Sequence, residues 1–302
     1  MISFVYGLLT YAPVWSDYFH RALLEFYEDG VQYLELRTSL PVLYDLNHRN
    51  YTQLDTVRIL KEVNQKFLYS HADYIGSKII YAPSRNATDE EFDGYLATAK
   101  SIKETYPDFF AGFDLISSQP AYDRPLNDFS HKLLSVHSDI DLFFHLGDFN
   151  LYNTPTDDDL IDAVLLGTKR IGQTSGLLRH PDVLRYVALN DIAIEVNPIA
   201  NKAVQLFSDF QNHPSANFLA NNYPVVIASD FPSYWKSTPI SHDFYITFLG
   251  ISSRPADLGL LKKLAWNSLK YSAMSCDQKE QAFVKFMHNW YEWVNQKIDD
   301  GL

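Results

Sequence analysis

The sequence predicts an α/β protein of the (β/α)8 TIM-barrel type with strand 1 missing. Three observations lead there. Short apolar runs rich in Val, Ile and Phe alternate with longer stretches whose apolar residues recur every three or four positions, at the roughly 25–40-residue beat of parallel βαβ units. Seven such runs occur along the 302 residues, one short of the eight that close a barrel. The chain also opens on a helical pattern, so the strand that is lacking is the first, and its place is upstream. No linker rich in Gly, Pro or Ser divides the sequence, which reads as one domain over 1–302.

Composition narrows the function classes. With 46% hydrophobic and 15% aromatic residues, the composition predicts a large core and argues against disorder. A net charge of −12 argues against a general nucleic-acid binder and against docking on an anionic membrane. No apolar run approaches the ~20 residues of a membrane span. The single cysteine, Cys276, excludes a disulfide within the chain. Two glycosylation triplets, Asn50-Tyr51-Thr52 and Asn86-Ala87-Thr88, fall in polar stretches that read as loops. Met1 leads straight into Ile-Ser-Phe-Val with no basic region or cleavage site. That leaves a cytosolic protein or an N-terminus that is not the native one.

The elements follow in order. Residues 4–28 read as a helix that Pro13 interrupts or restarts, with Trp15, Tyr18, Phe19, Ala22, Leu23 and Phe26 on one stripe. Residues 31–37 form a strand in which Glu35 and Arg37 share a face and point into the barrel as structure. A helix over 56–69 and a strand over 75–81 come next. The helix over 89–106 carries acids near its start, as the dipole prefers, and a strand follows over 109–116. The second half repeats the beat: strands over 169–172, 192–198 and 224–230 alternate with helices over 157–166, 180–188, 201–210 and 215–221. Helices over 240–249, 256–271 and 277–297 complete the chain. Asp157-Asp158-Asp159 reads as a helix start, since the spacing of a calcium loop is absent.

Chemistry concentrates in Asp141–Asp148. Leu142, Phe143 and Phe144 form the apolar run of a buried parallel strand. His145 follows where that strand should emerge, with Gly147 and Asp148 just beyond. In parallel α/β folds the carboxyl ends of strands carry the site. Taken alone, the spacing also suits a histidine hydrogen-bonded to a neighbouring acid. Most other histidines are read as surface or helix residues, and His213 is given a structural role at a loop turn.

Set out in order, the motifs carry a resemblance. They are Gly7-Leu8-Leu9-Thr10-Tyr11-Ala12-Pro13-Val14, Glu25-Phe26-Tyr27-Glu28-Asp29, Tyr33-Leu34-Glu35-Leu36-Arg37, Ala111-Gly112-Phe113-Asp114-Leu115 and Phe144-His145-Leu146-Gly147-Asp148. Then come Arg170-Ile171-Gly172, Glu195-Val196-Asn197-Pro198-Ile199, Asn212-His213-Pro214 and Ser229-Asp230-Phe231-Pro232. Together they resemble the secreted adenosine deaminases, also called adenosine deaminase-related growth factors, across essentially the whole chain. The resemblance implies a metal-dependent barrel that hydrolyses adenosine to inosine and ammonia. It implies an extracellular location, a homodimer, and zinc held by a His-x-His pair on the first strand, the His of a His-Ala-Gly-Glu motif and the first Asp of a Ser-Asp-Asp-Pro motif. Such a metal lowers the pKa of its water to about 7 and supplies hydroxide. A glutamate then acts as acid and base, and a second histidine orients the hydroxide.

Matched motif by motif, His145 and Asp230 take the metal-ligand positions. Four other positions depart. Asp148 stands in place of the motif's Glu, one methylene shorter. Gln173 replaces the catalytic His after Arg170-Ile171-Gly172, and glutamine does not titrate near neutral pH. Phe231 replaces the Asp that contacts the purine. Ser117-Ser118-Gln119 replaces a Gly-His-Glu segment that approaches it. No His-x-His occurs in the chain, and two ligands fall short of the three that a catalytic zinc takes from its protein. The favoured expectation is a catalytically impaired or inactive member with a binding or growth-factor-like role. The alternatives are an active zinc-dependent adenosine deaminase completed by an upstream strand, and a truncated product without function.

Overall fold

A computed structural model describes residues 7–47, 51–117, 123–146, 154 and 156–301. Asp148, Ser118 and Gln119 therefore lie outside the described residues. Helix α1 (Ala12–Glu28) begins at Pro13, whose fixed φ and missing N–H suit a first turn, and buries Ala12, Trp15, Phe19 and Leu23. Strand β1 (Tyr33–Thr38), helix α2 (Gln53–Ser70), strand β2 (Gly76–Tyr81), helix α3 (Asp89–Thr105) and strand β3 (Phe110–Phe113) follow as two βαβ units. The strands pair in parallel, in the order β1-β2-β3. Both α2 and α3 open with a capping box, Thr52 with Asp55 and Thr88 with Glu91, so the first free backbone donors are satisfied reciprocally.

The second half adds α4 (Ser130–Leu134), α5 (Asp159–Leu165), β4 (Arg170–Ile171), α6 (Pro181–Leu189), β5 (Ala193–Val196), α7 (Pro198–Ala203), α8 (Ser215–Ala220) and β6 (Val225–Ile227). Strands β4, β5 and β6 form a second parallel sheet. Helices α9 (Pro232–Trp235), α10 (Ser241–Ile246), α11 (Leu258–Lys270) and α12 (Cys276–Asp299) complete the chain.

The strand expected over 141–148 is reduced to two single bridges among its described residues. Leu142 pairs with Phe113 and His145 with Gly172, both in parallel. This segment joins the two sheets, so the strand positions around the barrel number seven among the described residues. The helix expected over 201–210 is instead α7, because Pro198 sets the first turn and the helix ends at Ala203. That expected over 240–249 is α10, continued by a π-helical turn over Thr247–Ile251.

Among the described residues, no strand pairs with the outer edge of β6 or of β1. Five of the six β1 residues are only half-buried, whereas five of the six in β2 are buried. Gln32 and Thr38 offer their carbonyls to Ile75 and Ala82, so by alternation the peptide groups of Tyr33, Glu35 and Arg37 face away from β2. On the opposite edge, Asn267 Nδ2 on α11 donates to the outward carbonyl of Val225 at 2.8 Å. Below the interior, the α11–α12 connection acts as a floor. Ala273 N donates to Glu35 at 2.6 Å, and its carbonyl accepts from Lys78 Nζ at 2.9 Å.

Candidate functional site

The interior is crossed by a chain of alternating charges. Arg170 on β4 bonds Glu35 on β1 and, at 2.7 Å, Glu195 on β5. Glu195 also receives Arg37 Nη1 at 2.8 Å, and Arg37 Nε donates to Asp114 Oδ2 at 2.7 Å. Asp114, which follows β3 directly and is fully buried, holds His145 Nδ1 at 2.6 Å. The expectation that Glu35 and Arg37 serve the interior agrees with this geometry. Burial alone would raise the Glu195 carboxyl, but Arg37 and Arg170 overcome it and hold the group down at about 2. Burial likewise pulls Arg37 down, and Glu195 and Asp114 more than reverse the effect, leaving it above its ordinary value.

The pair at His145 fixes the imidazole. A carboxylate oxygen accepts only, so Nδ1 carries the proton that faces Asp114, and in the neutral ring Nε2 is the nitrogen left for a ligand. Two glycines let the backbone close around it. A β-carbon on Gly112 would lie 2.2 Å from the Asp141 carbonyl oxygen. One on Gly172 would lie 2.8 Å from His145 Cβ and 3.0 Å from Glu195 Oε2. Asp230, three residues past β6, takes a left-handed φ of 55° and is exposed. Surrounding protein pushes its carboxyl upward, and His145 and Arg37 oppose that push. Open water around an exposed group screens both influences.

The remaining predicted positions are spread around this pair. Gln173 follows Gly172 with φ 53° and ψ 41°, a conformation costing a β-carbon-bearing residue about 1 kcal/mol. With Ser175, Glu195, Asn201 and His213 it lines a small internal cavity. Phe231 is 48% exposed and meets the Tyr234 ring edge-on at 5.4 Å. Ser117 Oγ donates to Asp123 at 2.7 Å.

His213 is buried: its Nδ1 accepts from Ser215 N at 3.1 Å, and its Nε2 lies 3.2 Å from Asn201 Oδ1. Burial lowers it to about 4, so it is neutral at pH 7. Asp114 belongs to the Ala111–Leu115 motif, which by itself assigns it no role. An acid directly after a four-residue buried strand is the signal that marks it, by the logic applied to His145. Asp243, fully buried at the start of α10, was also passed over. One oxygen accepts from Ile199 N at 3.0 Å, the other has no partner among the described residues, and burial pushes the group up to about 7.

Among the described residues, His145 Nε2 and Asp230 are two donors of metal type at this end of the barrel, while the nearby carboxylates of Asp114 and Glu195 are taken up by Arg37, Arg170 and His145. No group of three or more His, Cys, Asp or Glu side chains able to hold a metal is found among those residues. A catalytic zinc needs three protein ligands and a water, so the described donor set does not fit one by itself. No helix among the described residues is long and apolar enough to cross a membrane.

Fold and site together define a parallel α/β barrel in which a histidine and an aspartate stand at strand ends, with β4 and β5 between them. A family model described as adenosine deaminase matches residues 19–287, and the chain belongs to the adenosine deaminase family. It is 48% identical over 290 residues to an adenosine deaminase of Lutzomyia longipalpis, covering 96% of this chain and 57% of the relative. To adenosine deaminase 2 of Homo sapiens it is 37% identical over 291 residues, covering 95% and 57%. The chain thus spans a little over half the length of these relatives. An Arabidopsis N6-mAMP deaminase shares the fold with a TM-score of 0.78 at 15% identity, covering 95% of this chain and 82% of that one. A Burkholderia ambifaria amidohydrolase solved with bound Zn shares it with a TM-score of 0.73 at 16% identity, covering 95% and 76%.

Proposed function

We propose that this chain is an adenosine deaminase-like protein with a degenerate site, catalytically impaired or inactive by itself, acting outside the cell as a binding or growth-factor-like module. The observation that carries the reading is Gln173. It occupies the strand end beside His145, where the resemblance calls for a histidine, and an amide can position a water but cannot exchange its proton near neutral pH. Phe231 adds to it by offering an apolar ring where a purine contact would need an acceptor. The extracellular setting follows from the resemblance to secreted members.

Zinc content and adenosine turnover, measured on the purified chain, test the proposal. Substoichiometric zinc and no inosine release are expected. Stoichiometric zinc with steady release would overturn it and show that Asp148 and Gln173 suffice.

One observation favours a second reading, an active zinc-dependent deaminase of adenosine or a related nucleoside. Among the described residues β1 has a strand partner on one side only, and a strand paired on its other side would bring further ligands to His145 and Asp230. The same two assays on a longer chain, with sedimentation to detect a homodimer, distinguish the readings.

A further inference from the structure

We propose that Asn86 is an N-glycosylation site. The proposal rests on the extracellular reading above and adds a covalent modification to it. Asn86-Ala87-Thr88 is a glycosylation triplet without proline in the middle. The folded chain must accommodate a sugar attached at such a triplet, and here the asparagine is presented at the surface. Asn86 and Thr88 are exposed, while Arg85 and Ala87 on either side are each 4% exposed. The alternation turns the asparagine outward and anchors its neighbours inward.

The anchors are specific. Arg85 N donates to the Ile116 carbonyl at 2.7 Å, and Arg85 Nε donates to the Arg124 carbonyl at 2.8 Å. Arg85 also pairs with the buried Asp159. Arg124 Nη1 donates to the Ala87 carbonyl at 2.8 Å, and its guanidinium lies 4.5 Å from the Phe129 ring centre. The loop between β2 and α3 is thus held from beneath by groups that leave the Asn86 amide free. No side-chain hydrogen bond of Asn86 is seen among the described residues, so a glycan there displaces no bond seen among them.

The transfer needs a polyprenyl-diphosphate-linked oligosaccharide as donor. The Asn86 amide nitrogen forms a bond to C1 of the reducing-end N-acetylglucosamine. The C1–O bond to the diphosphate breaks, the polyprenyl diphosphate leaves, and the amide gives up one proton. Thr88 has a second task in the folded chain, because its Oγ1 caps α3 by accepting from Glu91 N at 3.2 Å. The two tasks separate by substitution: N86Q removes only the sugar, T88A removes sugar and cap, and T88S keeps both.

The test expresses the whole chain behind a heterologous secretion leader in insect cells, so that entry into the secretory route does not depend on the chain's own start. Secreted and membrane-enclosed pools are both digested with peptide-N-glycosidase and mapped by mass spectrometry. Conversion of Asn86 to Asp by the digestion is expected, lost in N86Q and T88A, retained in T88S and in N50Q. Unmodified Asn86 in both pools, or a glycan abolished by N50Q alone, overturns the proposal. Fractionation of cells making the protein from its own transcript reports separately on the extracellular reading.

Discussion

Single residues set the strongest expectations. Asp114 is the clearest, because it serves His145 and Arg37 at once and is fully buried. Asp114→Asn should cost about 2–3 kcal/mol, less than a fully sealed pair because Arg37 keeps some contact with water. It should also release the His145 tautomer, seen as a change in the imidazole nitrogen shifts. An unchanged tautomer would show that the carboxylate does not orient the ring. Gly172→Ala places a methyl against His145 Cβ and Glu195 and should destabilise by about 1–3 kcal/mol in urea titrations.

Asp243 gives the pH dependence. Its folded value of about 7 lies above the ordinary carboxyl value, so the folded state holds the proton more tightly. Its contribution is complete below about pH 4 and is lost as pH rises through 7. Asp243→Asn should therefore gain on the parent across that window by roughly 2–4 kcal/mol. Parallel stability curves from pH 4 to 8 would refute this. His213 works in the opposite sense: its value is depressed to about 4, so stability falls as pH drops from about 6.5 toward 4.

At the scale of elements, the caps are the simplest to probe. Thr52→Ala removes half of the box that starts α2 and should cost about 1 kcal/mol in the same titrations. Such local chemistry was largely legible in the sequence. The helical stripe of α1, the buried runs of β2, β3 and β5 and the acids opening α3 all follow from periodicity and charge placement. What was not legible depended on distant partners. Arg37 and Glu195 are 158 positions apart, and nothing local says that Arg37 will bond Glu195 and Asp114 together. The segment carrying His145 reads as a full strand because its apolar run is continuous. Among its described residues it makes a single bridge to each sheet. Helix α7 was placed too late because the proline that starts it was taken for a strand end.

At the scale of the whole molecule, the outer edge of β1, unpaired with any strand among the described residues, is the dominant feature. The peptide groups of Tyr33, Glu35 and Arg37 face away from β2, while those of Leu34 and Leu36 face it. Hydrogen exchange should alternate along β1, with Glu35 and Arg37 amides exchanging well before Leu34 and Leu36. Uniform protection along the strand would mean that this edge is covered. An exposed sheet edge is also a template for unwanted pairing, so self-association should rise with protein concentration more steeply than the net charge of −12 would suggest.

The charge chain from Glu35 to His145 has a consequence for how such a sequence can change over time. Each interior member neutralises neighbours drawn from both halves of the barrel, so no single replacement leaves the others satisfied. Change there must come in matched steps. Gln173 and Phe231 contribute no bond to that chain, and either can be exchanged alone while the barrel stands. A lineage on this scaffold is therefore freer to change at those two positions than within the charge chain beneath them.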